Sequence, residues 1–396
     1  MGKYFDKIMN HTIYKRNEHF QVAEFLLLFV ISLLALVARI SLIPYDSSDY
    51  TAYLSNWYND LKNAGGIHGI GLSIGDYNPP YLYILSLLTY LPINSLISIK
   101  CVSIIFDFIS AYFIYKIINI RTNNIQLCIL GYTITLFVPT IMLNSSMWGQ
   151  CDIIYATFII ICLYCLLLDK PFIATIMFSV GFTFKLQAIF FLPVLIMLWS
   201  KNKIKLRHFL SIPLVYIISL IPAYIFGRPM NELVSIYFRQ SGLSNLINRG
   251  ATNIYTILEG TEYSNILTIS GIVGCCAAIL LLLYFIWFSN FRIDNDFIVL
   301  ISLYISLMVP FLLPRMHERY FFMADILSVI FLFYYPKKYY ITLLIIFSSL
   351  ISYIPFLFKL TVIPIYIGTL SMGVALLILT LLVISFLCNN RDSSIT

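Results

Sequence analysis

Residues 22–43 read VAEFLLLFVISLLALVARISLI, an apolar run interrupted only by Glu24, Ser32, Arg39 and Ser41 and followed by Pro44. A helix rises 1.5 Å per residue, so about 20 apolar residues cover the hydrocarbon core of a bilayer. In lipid the backbone must satisfy its own hydrogen bonds, which makes a helix the form open to a single segment of this kind. Working outward, comparable apolar stretches lie near 96–118, 125–144, 152–168, 172–184, 186–199, 208–226, 264–288, 297–313, 320–335, 339–355 and 362–387. The expectation is an all-α polytopic membrane protein of about twelve transmembrane helices. Tyr81 to Pro92 is also apolar but too short to cross, and it is bounded by Pro79, Pro80 and Pro92. It reads as a re-entrant or interfacial helix, next to a helical first outer loop.

Composition agrees. The chain is 60% hydrophobic and 11% charged, whereas soluble domains carry about 25% charged residues. The organisation expected is a cytoplasmic N-terminal segment (1–20), one membrane-embedded domain (21–388) and a cytoplasmic tail (389–396). The net charge of +7 is split among short basic clusters between apolar runs. That pattern orients a membrane protein and does not point to nucleic acid. With Lys3, Lys7, Lys15 and Arg16 inside, the alternation also puts Lys116, Arg121, Lys170, the Lys201 to Arg207 cluster, Arg292, Lys337, Lys338 and Arg391 inside. Both termini are then cytoplasmic, in a multi-pass protein of the plasma membrane. Of the eight cysteines, seven fall in apolar runs and Cys151 in a loop; they read as small buried apolar groups, not a disulfide framework.

This topology collects the polar motifs on the outer face. Asp49, in Pro44-Tyr45-Asp46-Ser47-Ser48-Asp49-Tyr50, offers a carboxylate that can take a proton from a hydroxyl brought within about 3 Å; capping a loop helix is its plainer role. The first loop ends with Asp76-Tyr77-Asn78-Pro79-Pro80. The second outer segment carries Trp148, Gln150 and Asp152, the last two costly at a helix end unless partnered. Lys185 and Gln187 occupy a short apolar turn, where snorkelling competes with function. Arg315, His317 and Arg319 form a compact basic cluster at the start of a span, suited to a phosphate; ion pairing within the loop to Glu318 is the alternative. Asp107 and Asp325 lie inside spans and call for partners. No GxxxxGK[ST] loop and no HExxH occurs, and the histidines are too scattered for a metal site.

A carboxylate, an anion site and an apolar bundle between them suit a substrate with a phosphate head and a lipid tail. The motifs resemble those of the GT-C superfamily of membrane glycosyltransferases, especially the dolichyl-phosphate-glucose-dependent glucosyltransferases of N-glycan assembly and their bacterial relatives. Ser48-Asp49-Tyr50 with Trp57 looks like the first-loop acidic motif of that branch. Residues 76–80 are similar to its D-Y-P-P motif with Asn78 inserted. Residues 148–152 stand where it has H-F-Q-Y-N, matching at Gln150 and lacking the histidine. Met316-His317-Glu318-Arg319 resembles its V-H-E-K segment.

The resemblance covers about residues 20 to 335. It implies inverting transfer of a sugar from a polyprenyl-phosphate donor to a glycan, glycolipid or protein acceptor of the cell envelope, with no metal and no cofactor. Asp49 would be the base, and Arg315, His317 and Arg319 would stabilise the departing phosphate. Trp148, Gln150, Asp152, Lys185, Gln187, Asp76 and Tyr77 would complete the substrate site. Two other readings compete: a transporter or flippase of lipid-linked glycans, which would show internal repeats that are not seen here, and a polymerase or ligase using a diphosphate-linked donor.

Overall fold

The computed structural model describes residues 12–15, 18–242, 246–258, 264–289 and 291–389. Residues 1–11, 16–17 and 390–396 of the two expected cytoplasmic ends lie outside this set, and with them Lys3, Lys7, Arg16 and Arg391. A short antiparallel hairpin, Thr12–Lys15 with Glu18–Gln21, precedes the first long helix. Otherwise helices dominate the described residues.

All twelve expected spans contain helix. Among the described residues seven helices are long and apolar enough to cross a bilayer: Val22–Leu42, Ser95–Thr122, Leu206–Ile225, Asn265–Phe288, Asn295–Leu312, Pro336–Phe358 and Ile365–Cys388. An eighth arises if Ile125–Phe137 and Pro139–Trp148, bent by 51°, are one span. Pro139 explains the break, because it has no N–H to donate and disfavours helix in the residue before it. Asp152–Leu167, Pro171–Phe184, Leu186–Ser200 and Phe322–Tyr334 are shorter apolar helices. Pro79–Leu88 is a helix of 10 residues, too short to cross, as its flanking prolines suggested.

Burial separates an inner set of helices from an outer one. Asn295–Leu312 is 83% buried over its apolar window, whereas Val22–Leu42 and Asn265–Phe288 are 11% buried. The outer helices turn Phe25, Phe29, Val37, Leu280, Phe285 and Phe288 to the surroundings. Apolar faces this extensive fit a hydrocarbon solvent and not water. The protein is a helical membrane protein. All eight cysteines are free thiols, and five of them are buried; Cys101 is half-buried, while Cys276 and Cys388 are exposed, because they lie on outward faces of lipid-side helices.

The acids Asp107 and Asp325 inside the bundle each have a polar partner. Arg39 Nε lies 2.7 Å from Asp107 Oδ2, which also accepts from Ser145 Oγ at 2.6 Å. Asp325 Oδ1 accepts from Ser349 Oγ at 2.7 Å. A carboxylate in an apolar interior requires such partners. Ser145 belongs to a π-helical turn, Leu143–Trp148, and a second one, Tyr50–Leu54, follows Asp49. Such turns widen the helix by a residue and tend to occur at functional sites.

Candidate functional site

The first helix ends at Leu42, and its outgoing chain is held from the side. The buried ammonium of Lys100 donates to the carbonyls of Ile43 and Tyr45, at 2.9 and 2.6 Å. Ser47 Oγ donates to the Trp148 carbonyl at 2.6 Å. Those bonds bring Asp49 against the π turn Leu143–Trp148. Gly149, with φ of 78°, closes that turn in the left-handed region open to glycine. Ser103 Oγ then donates to the Gln150 carbonyl at 2.7 Å.

Three donors converge on one oxygen of Asp49. Gln150 Nε2 donates to Oδ2 at 2.5 Å and Trp148 Nε1 at 3.0 Å. Arg319 Nη1 stands 3.4 Å from the same atom. No described residue hydrogen-bonds Oδ1, and the side chain keeps 18% of its surface open. Behind Gln150, the Tyr77 hydroxyl donates to Oε1 at 3.4 Å. Burial pushes the Tyr77 phenol well up, so it stays protonated and a donor.

A second, more deeply buried carboxylate lies beside the first. Asp152 opens the helix Asp152–Leu167, where the positive end of the macrodipole favours it. Its Oδ1 is bonded by Lys185 Nζ. Its Oδ2 accepts from Asn144 Nδ2 at 3.0 Å and lies 3.6 Å from Arg319 Nε. Burial opposes the charge on Lys185, but Asp152, with Tyr77 and Cys151, more than offsets it and raises the ammonium above its ordinary range. Its Nζ also lies 5.5 Å from the centre of the Tyr77 ring.

Arg319 joins the two carboxylates to a third. Its Nη1 donates to Glu318 Oε1 at 2.8 Å, and its guanidinium carbon sits 5.3 Å from the centre of the Trp148 ring. Trp148 in turn stacks on Phe356, with ring centres 4.5 Å apart. Burial works against the Arg319 charge, and Glu318, Asp49, Tyr77 and Asp152 outweigh it, raising its pKa further. Burial alone would raise Glu318; His317 and Arg319 together hold it below the usual carboxylate range.

The basic segment is fixed by strand-like pairing with residues 247–250. Arg315 N donates to the Ile247 carbonyl at 2.6 Å, Arg249 N to Met316 at 3.0 Å, and Glu318 N to Arg249 at 3.1 Å. Arg315 takes a left-handed φ of 66° within this pairing. Arg249 Nη1 lies 3.0 Å from His317 Nε2. A guanidinium only donates, so Nε2 is the acceptor and the ring proton sits on Nδ1, 3.7 Å from Glu318 Oε2. Burial lowers the His317 pKa, and Arg319 and Arg249 reinforce that against the opposing pull of Glu318.

The fold therefore gathers Asp49, Tyr77, Trp148, Gln150, Asp152, Lys185, His317 and Arg319. Gln187 lies beside them facing the Tyr320 hydroxyl. Asp76 stands apart: its side chain is exposed, and it is its backbone carbonyl that accepts from Gln240 Nε2. Glu318, Asn144 and Arg249, outside the sequence-derived site residues, also belong to the site. Asn144 could have been suspected from its place in the same polar loop as Trp148. Arg249 carries no pattern of its own and becomes visible only through the chain pairing at His317.

Neither the protein-family models nor the curated proteins compared with this chain match it.

Proposed function

We propose that this protein is a membrane glycosyltransferase of GT-C type that moves a sugar from a polyprenyl-phosphate donor to a glycan, glycolipid or protein acceptor. The observation that carries the reading is the asymmetry of Asp49. One oxygen is held by Trp148, Gln150 and Arg319, while the other is open and unbonded among the described residues. A carboxylate fixed in this way presents a lone pair in one direction, which is what a general base requires.

In the reaction, the acceptor hydroxyl gives its proton to Asp49 Oδ1 as its oxygen attacks the anomeric carbon. The bond from that carbon to the phosphate oxygen breaks, its electron pair leaves with the polyprenyl phosphate, and the configuration inverts. Positive charge from Arg319 and the neighbouring basic segment stabilises the phosphate as charge grows on it. Asp49, Asp152 and Glu318 each have a cationic partner, Lys185 or Arg319, and the proposal invokes no metal ion. The polar cluster lies among loops that the distribution of Lys and Arg assigns to the non-cytoplasmic face of the plasma membrane. Twelve crossings, with the shorter helices counted as spans, belong to the same proposal.

The test is Asp49→Asn in the purified full-length protein with a polyprenyl-monophosphate sugar. Loss of a general base lowers turnover by roughly 10²- to 10⁴-fold, with the melting temperature and donor binding retained. Near-normal turnover of the variant would remove Asp49 from the role.

A further inference from the structure

The cations at this site are not equally available to a ligand. Lys185 is committed to Asp152. Arg319 is shared among Glu318, Asp49 and Asp152. Arg249 differs: its residue is exposed, and among the described residues the one side-chain hydrogen-bond partner of its guanidinium is His317, a neutral acceptor. No carboxylate among the described residues bonds it, and its Nε and Nη2 edge has no partner among them. A planar guanidinium with a free edge is suited to two phosphate oxygens at once.

We propose that Arg249 is the residue that grips the phosphate of the lipid-linked substrate, and that His317 is a positioning residue that aims it. This rests on the transferase reading and assigns the head-group contact within it. His317 is tied into the site through Glu318, which carries Arg319 and hence reaches Asp49. The bonds between residues 247–250 and 315–318 fix the backbone on both sides of the Arg249–His317 contact. A phosphate held by Arg249 would lie at the open rim of the cluster, where a lipid-borne group can enter from the surface. His317 does not supply the positive charge, because its Nε2 already accepts from Arg249.

The experiment measures binding of dodecyl phosphate, and separately of inorganic phosphate, to the purified full-length protein. Wild type is compared with R249Q, H317L, H317Q and the double variant R249Q/H317L. The expected result is tighter binding of dodecyl phosphate than of inorganic phosphate. R249Q and H317L each weaken it about tenfold, in keeping with loss of a charge-assisted contact. H317Q stays within about twofold, since its amide oxygen replaces the ring acceptor. The double variant binds no worse than R249Q, because the two residues act as one unit. Wild-type affinity in R249Q, or losses that add in the double variant, would overturn the proposal, and equal binding of the two phosphates would remove its lipid part. The pattern of binding without any sugar transfer would sink the transferase and leave the Arg249 site standing. Transfer with unchanged donor affinity in R249Q would do the reverse.

Discussion

Arg319 Nη1 stands 3.4 Å from Asp49 Oδ2, joining the loop after the first helix to the loop before Phe322–Tyr334. The same guanidinium reaches Glu318 and Asp152, so one cation links three carboxylates drawn from distant parts of the chain. In an apolar protein this is costly unless each charge is compensated, and the hydrogen bonds at the site supply that compensation.

Trp148 serves Asp49 by its indole N–H and the bundle by its ring. Trp148→Phe removes the donor while retaining an aromatic ring against Phe356 and Arg319. A hydrogen bond to a charged group contributes about 1.5–3 kcal/mol, so turnover is expected to fall at least about tenfold with a small change in melting temperature. Unchanged turnover would show that Gln150 and Arg319 alone orient the carboxylate.

Lys185 and Asp152 form a buried pair; removing Asp152 strips the ammonium of its carboxylate, and removing Lys185 leaves Asp152 only the longer Arg319 contact. Lys185→Met and Asp152→Asn are each expected to cost about 3–5 kcal/mol. The double variant should lose less than the two singles combined, because no unpaired charge is left behind. Thermal melts of the detergent-solubilised protein check this; strictly additive losses would show that the two side chains do not act as a pair.

Acid should weaken the site in a defined order. His317 is lowered from 6.5 by burial, with Arg319 and Arg249 adding to the effect and Glu318 opposing it. The unfolded chain then binds a proton more readily than the folded one, and stability falls as the pH drops below 6.5. Glu318, lowered from 4.5, gives stability that is present above that value and lost as the pH falls further. His317→Gln should flatten the first part of the stability–pH curve and leave the second. If the variant follows the wild-type curve throughout, His317 is not the group responsible.

Sidedness can be read by labelling intact cells with a membrane-impermeant maleimide. S48C and R249C are expected to react from outside and K203C only after the cells are opened. The wild-type protein gives the background from Cys276 and Cys388, which are exposed on apolar helices. Protection of S48C and R249C in intact cells would place the cluster on the cytoplasmic face.

The sequence alone determined the solvent of this protein and the candidate polar segments. Apolar runs such as 22–43 are long enough that their backbone can be satisfied in lipid only as helix. Gln150 and Asp152 stood out because polar residues at the ends of such runs are expensive, and Asp49, Lys185 and Arg319 as charges in the loops between them. Length and hydropathy did not determine which runs form spanning-length helices: Phe322–Tyr334 is as apolar as its neighbours but shorter, and is buried against protein. Partner choice was equally closed to the sequence. Whether Arg319 faced Glu318 within its loop or Asp49 across the bundle depended on how the helices pack, and it does both. Arg249 came forward only through its backbone pairing with residues 316–318. Local chemistry is written in residue type and spacing; a convergent site is made of contacts between distant segments, and only tertiary packing sets those distances.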